Sequence, residues 1–158
     1  MDPTTSMVVQ ARDVPARRKL KKVPFVELYG GRLQGVVSSG SSATRVYVSA
    51  IEAKSTDYSC ATNNNRPCGG LRGGPCKHLQ ALVDNAVAQY GAPRVARGLQ
   101  LADPDACTSA RDILARIVGS KQKMDASEVF SRFLAYLRYV ELPPGQAPLP
   151  ELSWFLTG

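Results

Sequence analysis

The apolar residues of this chain change period at one place. Up to Cys60 they tend to alternate, and from Leu79 they recur at helical spacing. Alternating side chains lie on one face of a strand, whereas an i, i+3, i+4, i+7 pattern lies on one face of a helix. The chain therefore passes from sheet to helix between these two residues. That interval contains Cys60, Cys68, Cys76 and the only histidine, His78, together with Gly69, Gly70, Gly73 and Gly74. Whatever joins sheet to helix is built from sulfur, imidazole and glycine.

Before the interval, "VPFVELYGG" reads as a strand ended by Gly30 and Gly31, and "RLQGVVSSGSS" as a second strand ended by a Ser/Gly turn. In "ATRVYVSAIEA", Val46, Val48 and Ala50 fall on one face and Tyr47, Ser49 and Ile51 on the other. "STDYSC" is expected to return as a fourth strand after a turn near Ala53. The first half is thus a small antiparallel β-meander.

After the interval, "KHLQALVDNAVAQYG" places Leu79, Leu82, Val83, Ala86, Val87 and Tyr90 on one stripe, stopped by Gly91 with Pro93 beyond it. A second helix is expected from Asp103 as N-cap with Pro104 at N1, carrying Cys107, Ala110, Ile113, Leu114 and Ile117 inward and ending at Gly119. A third is expected after Asp125, with Glu128 at N3 and Val129, Phe130, Phe133, Leu134, Leu137 and Val140 on the buried face, until Pro143 and Pro144. The fold class is α+β: a small antiparallel meander, a helix anchored at its start by the Cys/His interval, and two further helices.

With 158 residues and 44% of them hydrophobic, the chain has enough apolar material for one core. Residues 23–142 are expected to form it, flanked by a basic tail at 1–22 and a Pro-rich apolar tail at 143–158. No run approaches the ~18 uninterrupted apolar residues of a membrane span. The N-terminus "MDPTTSMVVQARDVPARRKL" lacks the apolar stretch of a signal peptide. The expected location is the cytoplasm or another reducing compartment, the nucleus in a eukaryote. There, clustered Cys and His residues more often serve metal binding or catalysis than disulfides.

The cluster has the spacing Cys-x7-Cys-x7-Cys-x-His. Three thiolates and one imidazole form a closed tetrahedral set of the kind zinc takes in structural roles. Three thiolates around Zn2+ leave a charge near −1, which suits a helix start with its unpaired N–H groups. Arg66, Arg72 and Lys77 add cationic surroundings. Asn63, Asn64, Asn65 and the glycines allow the tight turns that such a loop requires. The plainer alternative, a hydrogen-bonded histidine among ordinary small side chains, leaves the sulfur clustering unexplained. Cys107, on a later apolar stripe, reads as a buried free thiol.

"GGPCKHLQALV" resembles the second half of a SWIM-type zinc finger, in which Cys-x-His opens a helix. "VYVSAIEAKSTDYSC" is similar to the short hairpin that precedes it, so the resemblance covers about 46–90. The family pattern is Cys-x-Cys, a variable gap, then Cys-x-His. The resemblance implies zinc ligation by Cys76 and His78. Cys60 and Cys68 stand eight positions apart rather than two, so their assignment rests on donor chemistry. Either a loop returns the second sulfur to the site, or metal binding has been partly lost. The resemblance further implies DNA binding or protein–protein interaction without choosing between them.

The net charge of +7 is uneven: six cations and two anions lie in residues 1–22. Arg17, Arg18, Lys19, Lys21 and Lys22 are candidates for contact with nucleic acid or an acidic partner, the alternative being a solvated tail. The expected partners are a protein or multi-subunit complex, with nucleic acid reached through this tail. The chain lacks HExxH, a phosphate-binding Gly-x-x-x-x-Gly-Lys and Gly-x-Ser-x-Gly, so a non-catalytic zinc-binding interaction module is expected. The alternative is an accessory subunit of a larger assembly, with zinc stabilising its fold and both tails wrapping over neighbouring subunits.

Overall fold

A computed structural model describes residues 22–39 and 45–140. Four strands follow one another, β1 (Phe25–Tyr29), β2 (Arg32–Ser38), β3 (Val46–Glu52) and β4 (Tyr58–Thr62), paired antiparallel in the order β1-β2-β3-β4. The turn between β1 and β2 is two glycines, Gly30 and Gly31, both at positive φ, where a side chain would be strained. Four helices come next: α1 (Lys77–Tyr90), α2 (Ala92–Gly98), α3 (Ala110–Ala115) and α4 (Ala126–Val140). The fold is α+β.

Helices cover both faces of the sheet. On one side Leu33, Val37 and Ile51 pack with Leu79, Leu82 and Val83 of α1 and with buried residues of α2 and α3. On the other, Phe25, Val36, Val46 and Val48 pack with Ala126, Val129 and Phe133 of α4. The alternation along β3 is what sorts these two sets, because its neighbouring side chains point to opposite faces. β2 is buried on both faces, and Gly35 at its centre makes this possible. A Cβ there would lie 2.3 Å from the Phe25 carbonyl oxygen and 2.7 Å from Leu82 Cδ1. A clamp also fixes α4: Arg132 donates to both carboxylate oxygens of Glu27 (2.6 and 3.0 Å), and its guanidinium lies 3.6 Å from the centre of the Tyr29 ring. Glu27, foremost, holds the Arg132 guanidinium above its ordinary pKa.

Two helical expectations change. Gly91 does end α1, donating its N–H to Val87 O at 2.9 Å, but Pro93 then opens α2. A proline that cannot continue one helix is well placed in the first turn of the next. The helix expected from Asp103 is broken. Asp103 adopts a left-handed conformation with φ 48 and makes no side-chain cap, and only a 3-10 turn, Pro104–Ala106, follows. The helix proper begins after Ser109, which with Asp112 forms a complete capping box. Two competing start signals lie six residues apart, and the reciprocal one prevails. Gly119 is not the stop for this helix, which ends at Ala115. Its role is close approach: a Cβ would lie 2.5 Å from the backbone of Thr56 and Asp57.

That approach closes the edge of the sheet. Thr56 Oγ1 accepts from the N–H groups of Val118 and Gly119, both at 3.0 Å. The chain then runs beside β4, with Tyr58 N donating to Ser120 O and Gln122 N to Tyr58 O. Covering an edge strand in this way satisfies backbone groups otherwise open to pairing with another chain. Cys107 is fully buried and free, as expected. Arg17, Arg18, Lys19 and Lys21, the stop at Pro143 and Pro144, and the segment 143–158 lie outside the described residues. Lys22 is exposed, and its carbonyl accepts from Ser38 N at the end of β2.

Candidate metal centre

Each of the four donors reaches the site from its own local structure. Cys60 is on β4 opposite Ser49, and the register turns both toward α1. Beyond Cys60 the chain doubles back. Thr62 N donates to Arg66 O at 2.8 Å, Asn65 N to Thr62 O at 2.9 Å and Cys68 N to Cys60 O at 3.0 Å, while Ala61 bridges Pro67. Asn65 takes the left-handed turn conformation, φ 64, that its short polar side chain tolerates. The eight-residue separation is therefore closed by a loop that returns the second sulfur beside the first.

Cys68 then caps a 3-10 turn, Gly69–Leu71, with Gly70 N donating to its sulfur at 3.4 Å. Gly70 lies so close to the site that a Cβ on it would be 3.1 Å from Cys76 Cβ. Gly73 and Gly74, at φ 84 and 149, swing the chain to Cys76, the N-cap residue of α1. His78 follows within the first turn of that helix.

The result is a convergence on His78 Nδ1. It lies 3.4 Å from Cys68 Sγ, 3.7 Å from Cys60 Sγ and 3.8 Å from Cys76 Sγ. The four donor atoms are within 4.8 Å of one another. A tetrahedral ion with bonds of ~2.3 Å to sulfur and ~2.05 Å to nitrogen separates these two donor types by ~3.6 Å. The observed separations bracket that value, so the arrangement fits a metal ion. All three cysteines are buried and His78 partly so. Four protein donors complete a tetrahedral shell.

Groups around the donors hold them in place. Ser49 Oγ lies 3.3 Å from Cys60 Sγ and donates to it. Tyr47 stacks on the imidazole of His78, with centroids 3.8 Å apart and planes inclined by 16°. Such contacts fix ring orientation and sulfur basicity at metal sites. Before any metal arrives, the sulfurs already differ in acidity. Cys76 is pushed down to about 4, chiefly by a hydrogen bond with Cys60 and further by His78 and the N–H groups that open α1. Cys60 moves up, through the same bond with Cys76 and through burial. Cys68 moves up mainly because it is buried.

Lys22 and Lys77, both exposed, border a shallow concavity of about 510 Å3 over the donors, which also includes Tyr47 and His78. A second cleft, of about 270 Å3, lies on the far side of Cys60 and Cys68. Residue types and spacing singled out the four residues that the structure brings together. They did not identify Tyr47 or Ser49 as supports, although the alternation of β3 already put both on one face.

No family model, curated protein or solved structure matches the chain. Among the described residues, no helix is long and apolar enough to cross a membrane.

Proposed function

We propose that this protein is a non-catalytic zinc-binding interaction module that resembles a SWIM-type finger. The observation that carries this reading is the placement of His78 Nδ1 at 3.4–3.8 Å from three buried sulfurs. Soft thiolates select zinc among common cations, and a full Cys3His shell leaves no position for substrate. The metal's role is then structural. It joins β4, the returning loop and the start of α1, whose buried residues Tyr58, Leu71 and Leu79 already share one core. Three thiolates give a bound Zn2+ a residual negative charge, which Lys22, Arg66, Arg72 and Lys77 moderate from the surface. Exposed cations beside the site, Lys22 and Lys77, suit an acidic partner or a phosphate backbone, and the basic sequence before them adds Arg17, Arg18, Lys19 and Lys21.

Metal analysis of fresh, reduced protein tests this reading. One equivalent of zinc is expected, and less than half an equivalent overturns it. Replacing Cys76 by Ser should remove the metal and destabilise the whole unit from β3 to α1.

One observation favours the second reading, an accessory subunit of a larger assembly. Leu134, Tyr136, Tyr139 and Val140 of α4 are each 40–51% exposed. Apolar side chains grouped on one helix mark protein contacts more often than solvent. Co-purification from the native source distinguishes a complex subunit from a free binder.

A further inference from the structure

We propose that the 270 Å3 cleft behind the metal centre docks an acidic linear segment of a partner protein through one apolar anchor side chain. This rests on the reading of the chain as an interaction module and names the partner's chemistry. The cleft lies between β4, the loop that returns Cys68 to the site, and residues 121–124. Val48, Ala61, Pro67, Leu71 and Ala126 make its lining predominantly apolar, and Met124 closes one side. An unbranched thioether adapts its shape to different guests. The space suits a side chain of leucine or phenylalanine size.

Charge decides what surrounds the anchor. Lys121 and Lys123 are exposed on the cleft wall, and among the described residues neither has an ion-pair partner. The nearby carboxylates are turned to other work. Asp57 accepts from Ser120 N, and Asp125 accepts from Ser127 N and Oγ. Two unpaired ammonium groups beside an apolar recess fit carboxylates flanking an apolar residue. Single-stranded nucleic acid fits less well, because no aromatic ring lines the cleft and bases would have nothing to stack on. Cys60 and Cys68 form part of the wall, so the shape of the cleft follows the occupancy of the metal centre.

The test uses the zinc-loaded full chain, labelled with 15N, and the peptide acetyl-Glu-Glu-Leu-Glu-Glu-amide. Saturable shifts are expected at the amides of Ala61, Leu71, Lys123 and Met124. The double variant Lys121→Glu/Lys123→Glu should weaken binding at least tenfold, as should serine in place of the peptide's leucine. Met124→Trp, which fills the recess without altering charge, should also abolish the shifts. Zinc content is measured on the same sample. With one equivalent present, absent shifts, shifts confined to the Lys22 and Lys77 face, or unchanged affinity in the double variant overturn the docking proposal alone. Cleft shifts produced by a single-stranded oligonucleotide overturn it too. Zinc below half an equivalent overturns both this proposal and the module reading beneath it.

Discussion

The side-chain oxygen of Asn65 accepts the backbone N–H of Ala126 at 2.8 Å. Asn65 belongs to the loop between two metal donors, and Ala126 opens the helix on the opposite face of the sheet. Asn65 Nδ2 also donates to Asp125 Oδ1 at 3.5 Å, so one side chain links the loop to the start of α4. Substituting an N-capping residue by Ala costs about 0.5–2 kcal/mol, and a left-handed Ala adds about 1 kcal/mol. Asn65→Ala should therefore lower stability by roughly 1–3 kcal/mol. Asn65→Gly should recover the backbone part only. Chemical denaturation of the two variants checks the difference: equal losses would count against the backbone part, and an Asn65→Gly variant as stable as the parent would count against the cap.

Tyr47 bears on the candidate metal centre through His78, on which it stacks. Removing the ring by Tyr47→Ala should weaken zinc binding about 10–100-fold, the usual effect of losing a group that orients a ligand. Tyr47→Phe keeps the stacked surface and should stay close to the parent. Competition against a chromogenic chelator measures both. A loss shared equally by Phe and Ala would assign the effect to the phenol oxygen instead.

Gly35 is a point of contact between layers. Adding a methyl group by Gly35→Ala drives it into the Phe25 carbonyl and the Leu82 side chain. Overpacking of this kind costs about 1–3 kcal/mol, and the obstruction by backbone places the effect toward the upper end. Zinc stoichiometry should remain at one, since the donors lie elsewhere. Thermal unfolding followed with metal analysis separates the two effects.

Acid should act on α3 as well as on the metal. Asp112 is held below the usual carboxylate range, first by the backbone N–H of Thr108, then by its hydroxyl and by Ser109. A group depressed in the folded state stabilises it fully above the unfolded pKa of about 4. That contribution disappears as pH falls through the lower folded value. Asp112→Ala should be less stable than the parent at pH 7, and the gap should narrow below pH 4. A gap that widens in acid would reverse the assignment.

Much of this arrangement was legible in the residues themselves. Alternation placed the strands, and the register put Tyr47, Ser49 and Ile51 on the face that meets α1. The grouping of Cys60, Cys68, Cys76 and His78 was legible because thiols and imidazole have few other reasons to cluster. The broken helix after Asp103 was not, because Asp103-Pro104 and Ser109-Asp112 are both valid starts and tertiary contacts choose between them. Arg116 shows the contact involved: its guanidinium donates to the carbonyls of Ala102 and Asp103, holding the first start out of helical form. Asn65 was read as a turn residue, which it is. Its second bond spans 61 residues, and no local pattern encodes a partner at that distance.

The four donors are consecutive pieces of one short stretch, and α4 begins 48 residues after the last of them. At a synthesis rate of about 5–20 residues per second, that is roughly 2–10 s of translation. A nascent chain therefore has all four residues of the candidate centre while α4, whose first turn Asn65 caps, has yet to be made. Asn65 would then be waiting, already in its turn, when Ala126 arrives. On that timetable, metal scarcity in the cell would be felt during synthesis, and the last helix would close on whatever loop the ion had or had not formed.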